Sequence, residues 1–313
     1  NAATTKPLEI VKEAVVDTMI NNYGNPSSYH KLGLEAEKLI KESSDFFAKV
    51  LNCAEDEIIY TSGATESNNM AIIGAALAYK RTGNRVITTS IEHPSVKQAF
   101  IYLESLGFEV IYLKTTKTGK VDIQELESYI DDNTILVSIM HVNNEIGTVQ
   151  EIDKIGQVIK NSNKNTIFHV DAVQSFGKYQ IDVIKSSIDL LSMSAHKIYG
   201  PKGVGLLYKN KNIRIKPLLI GGDQQKGLRS GTENVPGIVG MYKAAKYVWK
   251  NKEKINENML DLKKTLANKI LDNIPGSYIN GPSIEEGAAH ILNVGFKDIR
   301  SEILLHSLDA KSI

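Results

Sequence analysis

Between residues 57 and 208, short apolar and β-branched runs alternate with segments of helical composition. This alternation narrows the possible folds more than any other feature of the chain. Glu57–Thr61 (EIIYT) reads as a strand that ends at the turn signal Ser62-Gly63. Thr65–Arg81, rich in Ala and Met and closed by Gly83, reads as a helix. Arg85–Ser90 is a second strand, and Pro94–Leu106 is a helix with proline near its first turn. The strand Glu109–Lys114, the short helix Asp122–Ile130, the strand Thr134–Val142 and the helix Ile152–Lys160 follow. Three more strands are predicted at Thr166–Val170, Ile188–Ala195 and Val204–Tyr208. These runs are mostly continuously apolar, as strands buried on both faces are, and helices between them imply crossovers. The prediction is an α/β domain with a mostly parallel sheet flanked by helices.

After Asn234 the pattern changes. Helices are predicted at Val235–Asn251 and Asn256–Leu271, a strand at His290–Phe296 and a helix at Arg300–Leu308. This reads as the start of a smaller α+β domain with one strand. A lone strand cannot satisfy its own backbone groups, so the domain is expected to be incomplete at Ile313. A length of 313 residues fits about two domains. The expected division is an N-terminal segment (1–12) associated with the small domain, a large ligand-binding domain (13–234), and a linker helix with a partial small domain (235–313).

Charge and cysteine content remove several function classes. Lys and Arg number 37 against 36 Asp and Glu, a net charge of +1. No bulk field holds nucleic acid or an anionic membrane. The single cysteine, Cys53, excludes an intrachain disulfide framework and a cysteine-based zinc cluster. No metal site is expected, and a reducing, cytoplasmic setting is the default. No apolar run approaches the length of a membrane span.

In an open parallel sheet, ligands bind beyond the carboxyl ends of the strands, and the unusual polar residues fall there. Ser62-Gly63-Ala64-Thr65-Glu66 joins a strand to a helix. It is either an anion cradle of free N–H groups or a helix cap made by Ser62 or Thr65. His93, after RVITTS, suits stacking on a planar ligand or moving a proton, but also an ordinary polar loop. Asn144, in Asn143-Asn144-Glu145-Ile146-Gly147, is either an amide donor or part of a turn. Asp171 ends a buried strand, with Gln174 three residues on. A carboxylate there calls for a cationic partner in a site or caps a helix. Ser194-Ala195-His196-Lys197 follows another apolar strand. Desolvation would favour the neutral, nucleophilic amine of Lys197, while the alternative is a surface lysine in a Gly/Pro loop. Together these strand ends offer a phosphate cradle, a stacking imidazole, an acid for a ring nitrogen and an amine for a Schiff base. Those are the demands of pyridoxal 5′-phosphate.

Several segments carry a resemblance that runs from Asn1 to Ile313: NAATT, GNPSSYHKLG, YTSGATESNN, SIEHPSV, MHVNNEIG, HVDAVQS, SMSAHKIYGPKG and RSGTENV. The chain resembles the NifS/IscS-type cysteine desulfurases, class V of the fold-type-I pyridoxal-phosphate enzymes. The AHKIYGPKG form is similar to the NifS/IscS branch and not to the SufS branch. The resemblance implies the pyridoxal-phosphate-dependent transferase fold, with Lys197 carrying the cofactor, Asp171 pairing with the pyridine nitrogen and His93 stacking on the ring. Asn144 and Gln174 would bond the phenolic oxygen. Ala64, Thr65, Ser194 and His196 would hold the phosphate. Thr232 would reach the phosphate of a partner subunit, which implies a homodimer.

The resemblance also implies L-cysteine as substrate, with L-alanine and an enzyme persulfide as products. An iron–sulfur scaffold or sulfur-carrier protein would receive the sulfur for cluster assembly or tRNA thiolation, without direct nucleic-acid contact. A selenocysteine lyase or related class V enzyme is the alternative chemistry, and a pyridoxal-phosphate-binding scaffold without desulfurase activity is the non-enzymatic one. One departure stands out: the family's nucleophilic cysteine lies just beyond the segment matching residues 301–313. Cys53, in Leu51-Asn52-Cys53-Ala54, does not resemble that loop and is expected to be an inert packing cysteine. The family's thiol is therefore expected in a C-terminal part beyond Ile313.

Overall fold

The computed structural model describes residues 2–311 and 313. The strands are β1 (Ile58–Thr61), β2 (Arg85–Thr89), β3 (Glu109–Leu113), β4 (Thr134–Met140), β5 (Ile167–Asp171), β6 (Leu190–Ser194) and β7 (Gly205–Lys209). They form a seven-stranded sheet in the order β1-β7-β6-β5-β4-β2-β3. Pairings β3–β2, β2–β4, β4–β5 and β5–β6 are parallel, and β7 runs antiparallel to both β6 and β1. The mostly parallel α/β sheet is thus as expected, with strand bounds within a few residues. Strands β4, β5 and β6 are buried along their whole length, which explains their mostly apolar character.

Helices cover both faces. Helices α1 (Glu9–Asn21) and α2 (Lys31–Leu51) precede the sheet, and the sequence reading leaves both unassigned. Then come α3 (Ala64–Tyr79), α4 (Pro94–Ser105), α5 (Ile123–Tyr129), α6 (Ile152–Ser162) and α7 (Val235–Lys250). On one face, Met70, Ile72, Phe100 and Leu103 of α3 and α4 pack with Val86, Leu136 and Leu190 of the sheet. On the other, Phe47, Ile155, Ile159 and Met241 pack with Ile87, Val137, Phe168 and Leu191. Alternate strand residues therefore feed two separate cores.

The C-terminal part contains α8 (Lys252–Asn273), β8 (Ser277–Ile279), β9 (Val294–Phe296) and α9 (Ser301–Asp309). The expectation of a single strand here is corrected. Tyr278 pairs with Gly295 in an antiparallel β8–β9 ladder, so β9 has a partner for its backbone groups. Strand β8 is three residues long, too short to give an alternation pattern.

Candidate active site

The carboxyl ends of β1, β2, β4, β5 and β6 surround a cavity of about 560 Å³. Ala64, Thr65, His93, Asn144, Asp171, Gln174, Ser194, His196 and Lys197 all line it. Thr232 does not. It is exposed, in the loop between β7 and α7.

Strand β1 ends at Thr61, and the chain turns through Gly63, whose φ of +152° disfavours any side chain. A Cβ on Gly205 of β7 would lie 2.6 Å from the Gly63 Cα, so that pair of glycines lets β7 pass close beneath the turn. Gly63 is the N-cap of α3, and no side chain caps the helix. The first N–H groups of a helix have no intrahelical partner, and here they open on the cavity at Ala64 and Thr65. Glu66 braces the turn, accepting from the Ser62 N–H at 2.6 Å and from Arg229 at 2.7 Å. Burial pushes its carboxyl up, but the Arg229 guanidinium and the Ser62 N–H leave it below the usual carboxylate range.

His93 ends the turn after β2 and caps α4. Its Nδ1 accepts the Ser95 N–H at 3.1 Å and lies 2.8 Å from Ser95 Oγ. With Nδ1 an acceptor, Nε2 carries the ring proton in this tautomer. The turn after β4 separates the roles open to its two asparagines. Asn143 Oδ1 accepts the N–H groups of Glu145 and Ile146, each at 2.9 Å. Asn144 lines the cavity, where its amide donates to Glu145 Oε1 at 2.6 Å.

Asp171 is buried at the end of β5. Asn68 Nδ2 donates to its Oδ2 at 2.9 Å and the Val173 N–H donates to its Oδ1 at 3.0 Å. Burial raises its carboxyl above the usual range, against those two donors and the nearby charges of His93 and Lys197. Among the described residues, no cation lies within ion-pair distance of it. Lys197 sits in the short turn after β6, half-buried, with Nζ donating to the carbonyls of Ala2 and Ala3, each at 2.7 Å. Burial lowers its ammonium below the usual lysine range, with Asp171 opposing. His196 packs at the other side of that turn, 3.3 Å from Thr4 Oγ1, and burial beside Lys197 and Lys202 lowers it too.

Several supporting residues escape the sequence reading. Asn68 lies one turn into α3 from the anion cradle and spans 103 residues to reach Asp171. The N-terminal segment is another: Thr5 N and Oγ1 both donate to the His196 carbonyl at 2.9 Å.

Glu92, next to His93, is a third. Its Oε1 accepts from Thr89 Oγ1 at 2.8 Å and the Met140 N–H at 2.9 Å, and its Oε2 has no partner among the described residues. Burial pushes Glu92 from 4.5 up to about 8, with Asp171 adding to the push and the two donors opposing it. The folded chain keeps this proton in a window where the unfolded chain has lost it, so the contribution of Glu92 to stability is lost as pH rises from about 4.5 to about 8. Glu92→Gln makes the group permanently neutral. Relative to the parent, the melting temperature of this variant should be higher at pH 8 than at pH 5 by at least about 2 °C. An equal variant-to-parent difference at both pH values would contradict the buried-proton account.

Cys53 lies outside the cavity. It follows Asn52, a left-handed residue that ends α2, donates its N–H to the Ala48 carbonyl at 2.9 Å and packs partly into the core. Burial, with Glu57 and Asp56 adding to it, pushes its thiol up to about 12. Among the described residues, no cluster of His, Cys, Asp and Glu could hold a metal ion, and no helix is long and apolar enough to cross a membrane.

The family model described as Aminotransferase class-V matches residues 1–313. A cysteine desulfurase IscS from Methanosarcina thermophila is 45% identical over 313 residues, covering 100% of this chain and 76% of that protein. A solved NifS-like protein superposes with a TM-score of 0.96 at 39% identity, covering 100% of this chain and 85% of that one. SspA, solved in complex with cysteine, superposes with a TM-score of 0.86 at 36% identity, covering 99% of this chain and 85% of that one.

Proposed function

The chain belongs to the class-V aminotransferase family, among its pyridoxal-phosphate-dependent IscS/NifS members, and we propose the following division of labour for an L-cysteine desulfurase. The carrying observation is the convergence of Lys197 and Asp171 on one cavity. Asp171 is a buried carboxylate held by two neutral donors, with no cation within ion-pair distance among the described residues, which suits a protonated ring nitrogen. The half-buried Lys197 amine suits an aldehyde. The uncapped start of α3 suits a phosphate. Bound pyridoxal 5′-phosphate supplies an electron sink for carbanion chemistry at the substrate Cα.

In this reading Lys197 Nζ would anchor the cofactor and would hold or move a proton at Nζ. Asp171 keeps the ring nitrogen protonated. His93 would stack on the ring and present Nε2–H. Asn144 and Gln174 donate amide protons to the phenolic oxygen. The N–H groups of Ala64 and Thr65, with the Thr65 hydroxyl, Ser194 and His196, bind the phosphate. Thr232 serves the phosphate of the second protomer of a homodimer. Its exposure, in a loop that also exposes Ile220, supports that role.

L-Cysteine gives L-alanine as its sulfur passes to a thiolate, leaving a persulfide for an iron–sulfur scaffold or sulfur-carrier protein. A cytoplasmic setting fits chemistry that needs reduced thiols. Residues 1–12, 13–234 and 235–313 act as the N-terminal segment, cofactor domain and small domain. The test is alanine release from L-cysteine by the full-length protein. Stoichiometric alanine and persulfide are expected, and no alanine would overturn the reading.

Cys53 is not the sulfur acceptor, because a thiol pushed up to about 12 and set outside the cavity offers no thiolate to the substrate. Cys53→Ser should leave alanine release within about twofold of the parent. A loss of tenfold or more would contradict its exclusion.

A further inference from the structure

Gln174 does not stand alone. Its Nε2 donates to the Ala2 carbonyl at 2.9 Å, and its Oε1 lies 3.1 Å from His290 Nε2. A backbone carbonyl can only accept, so the amide atom facing Ala2 is the NH2 group. The atom facing His290 is then the carbonyl oxygen, which requires His290 to carry its proton on Nε2. The other ring nitrogen, Nδ1, is buried with no partner among the described residues. An unpartnered buried nitrogen is costly when charged and cheaper as a bare lone pair, so the Nε2–H tautomer fits both sides of the ring. Burial, with Lys178, Lys263 and Lys197 nearby, also holds His290 neutral, well below the usual histidine range. His290 lies behind the cavity wall, sharing a second, small pocket with Lys178 and Lys197.

Resting on the cofactor reading above, we propose that His290 is a positioning residue that, with the Ala2 carbonyl, fixes the Gln174 amide with its NH2 end on the side of Lys197, whose Nζ shares that carbonyl. An NH2 group stabilises an oxyanion there. A flipped amide would face the same oxyanion with its own carbonyl oxygen. His290 comes from the loop before β9 and Gln174 from the turn after β5, 116 residues apart, so this contact also ties the small domain to the cofactor wall.

The test uses the holoenzyme and follows the pH midpoint of the cofactor's visible band alongside borohydride labelling of Lys197. Loss of a fixed donor disfavours the oxyanion, so His290→Leu should keep the Lys197 label while the midpoint moves up by roughly one pH unit. His290→Gln, which can donate from its amide, should bring the midpoint most of the way back. In a Gln174→Ala background His290→Leu should add no further shift. An unmoved midpoint in a labelled His290→Leu protein would overturn the proposal, as would a full shift that persists without Gln174. Nitrogen-15 spectra of histidine-labelled parent protein give a check that needs no variant. The Nε2–H tautomer of His290 is expected, and the Nδ1–H tautomer overturns the proposal. Absence of a Lys197 label in the parent protein would instead count against the cofactor reading.

Discussion

Lys197→Ala is expected to abolish the yellow colour of the purified protein and to reduce alanine release from L-cysteine by roughly 10³-fold or more, about 4 kcal/mol of barrier. The expectation follows from where the amine sits. Strand β6 delivers Lys197 into the cavity through a turn tied down by Thr5, and burial favours its neutral form. The other cavity lysine, Lys202, is exposed beyond that turn. Lys178 approaches from behind, with Nζ directed at the Lys197 carbonyl at 3.5 Å. Neither occupies the position of the lost amine. Lys197→Arg should be as inactive as the alanine variant, since a guanidinium keeps the charge but is not deprotonated in proteins. Activity in the arginine variant would show that charge, and not a nucleophilic amine, is what the site uses.

Asp171→Asn should cost roughly 10²- to 10³-fold in alanine release while Lys197 still becomes labelled. The substitution keeps the shape and removes the charge proposed to hold a ring nitrogen protonated. It also sets a local conflict. Both groups that contact the carboxylate, Asn68 Nδ2 and the Val173 N–H, are donors, and an amide offers one of them its carbonyl and the other its own NH2. Some loss of melting temperature should therefore accompany the loss of activity. The two effects separate on excess cofactor: saturation restores occupancy but not turnover. Restoration of turnover to within a few fold of the parent would place the Asp171 effect in binding alone.

The strands and the site were legible in sequence for one physical reason. Strands β4, β5 and β6 are buried throughout, so a polar residue at their ends, such as Asp171 or Lys197, stands out against an apolar run. The predicted site residues, read this way or from the family motifs, line the cavity with the exception of Thr232. The reversed direction of β7 was not legible, because a continuous apolar run carries no sign of its polarity. Helix α1 buries only Val11 and Thr18, which leaves little periodicity to read. Strand β8 is too short for any pattern.

The supporting contacts were invisible for a different reason. Asn68 to Asp171, His290 to Gln174 and Lys197 to Ala2 join residues separated by 103, 116 and 195 positions, and only the folded chain brings them together. Asn143 and Asn144 are neighbours with the same side chain. Backbone geometry decides that the first builds the turn and the second faces the cavity.

The central claim is that these strand ends form a pyridoxal-phosphate site with Lys197 as its covalent anchor. The most direct measurement is borohydride reduction of the holoenzyme followed by peptide mapping. The account predicts one stoichiometric label, on Lys197. A label on Lys178 or Lys202, or no label on any lysine, would contradict it.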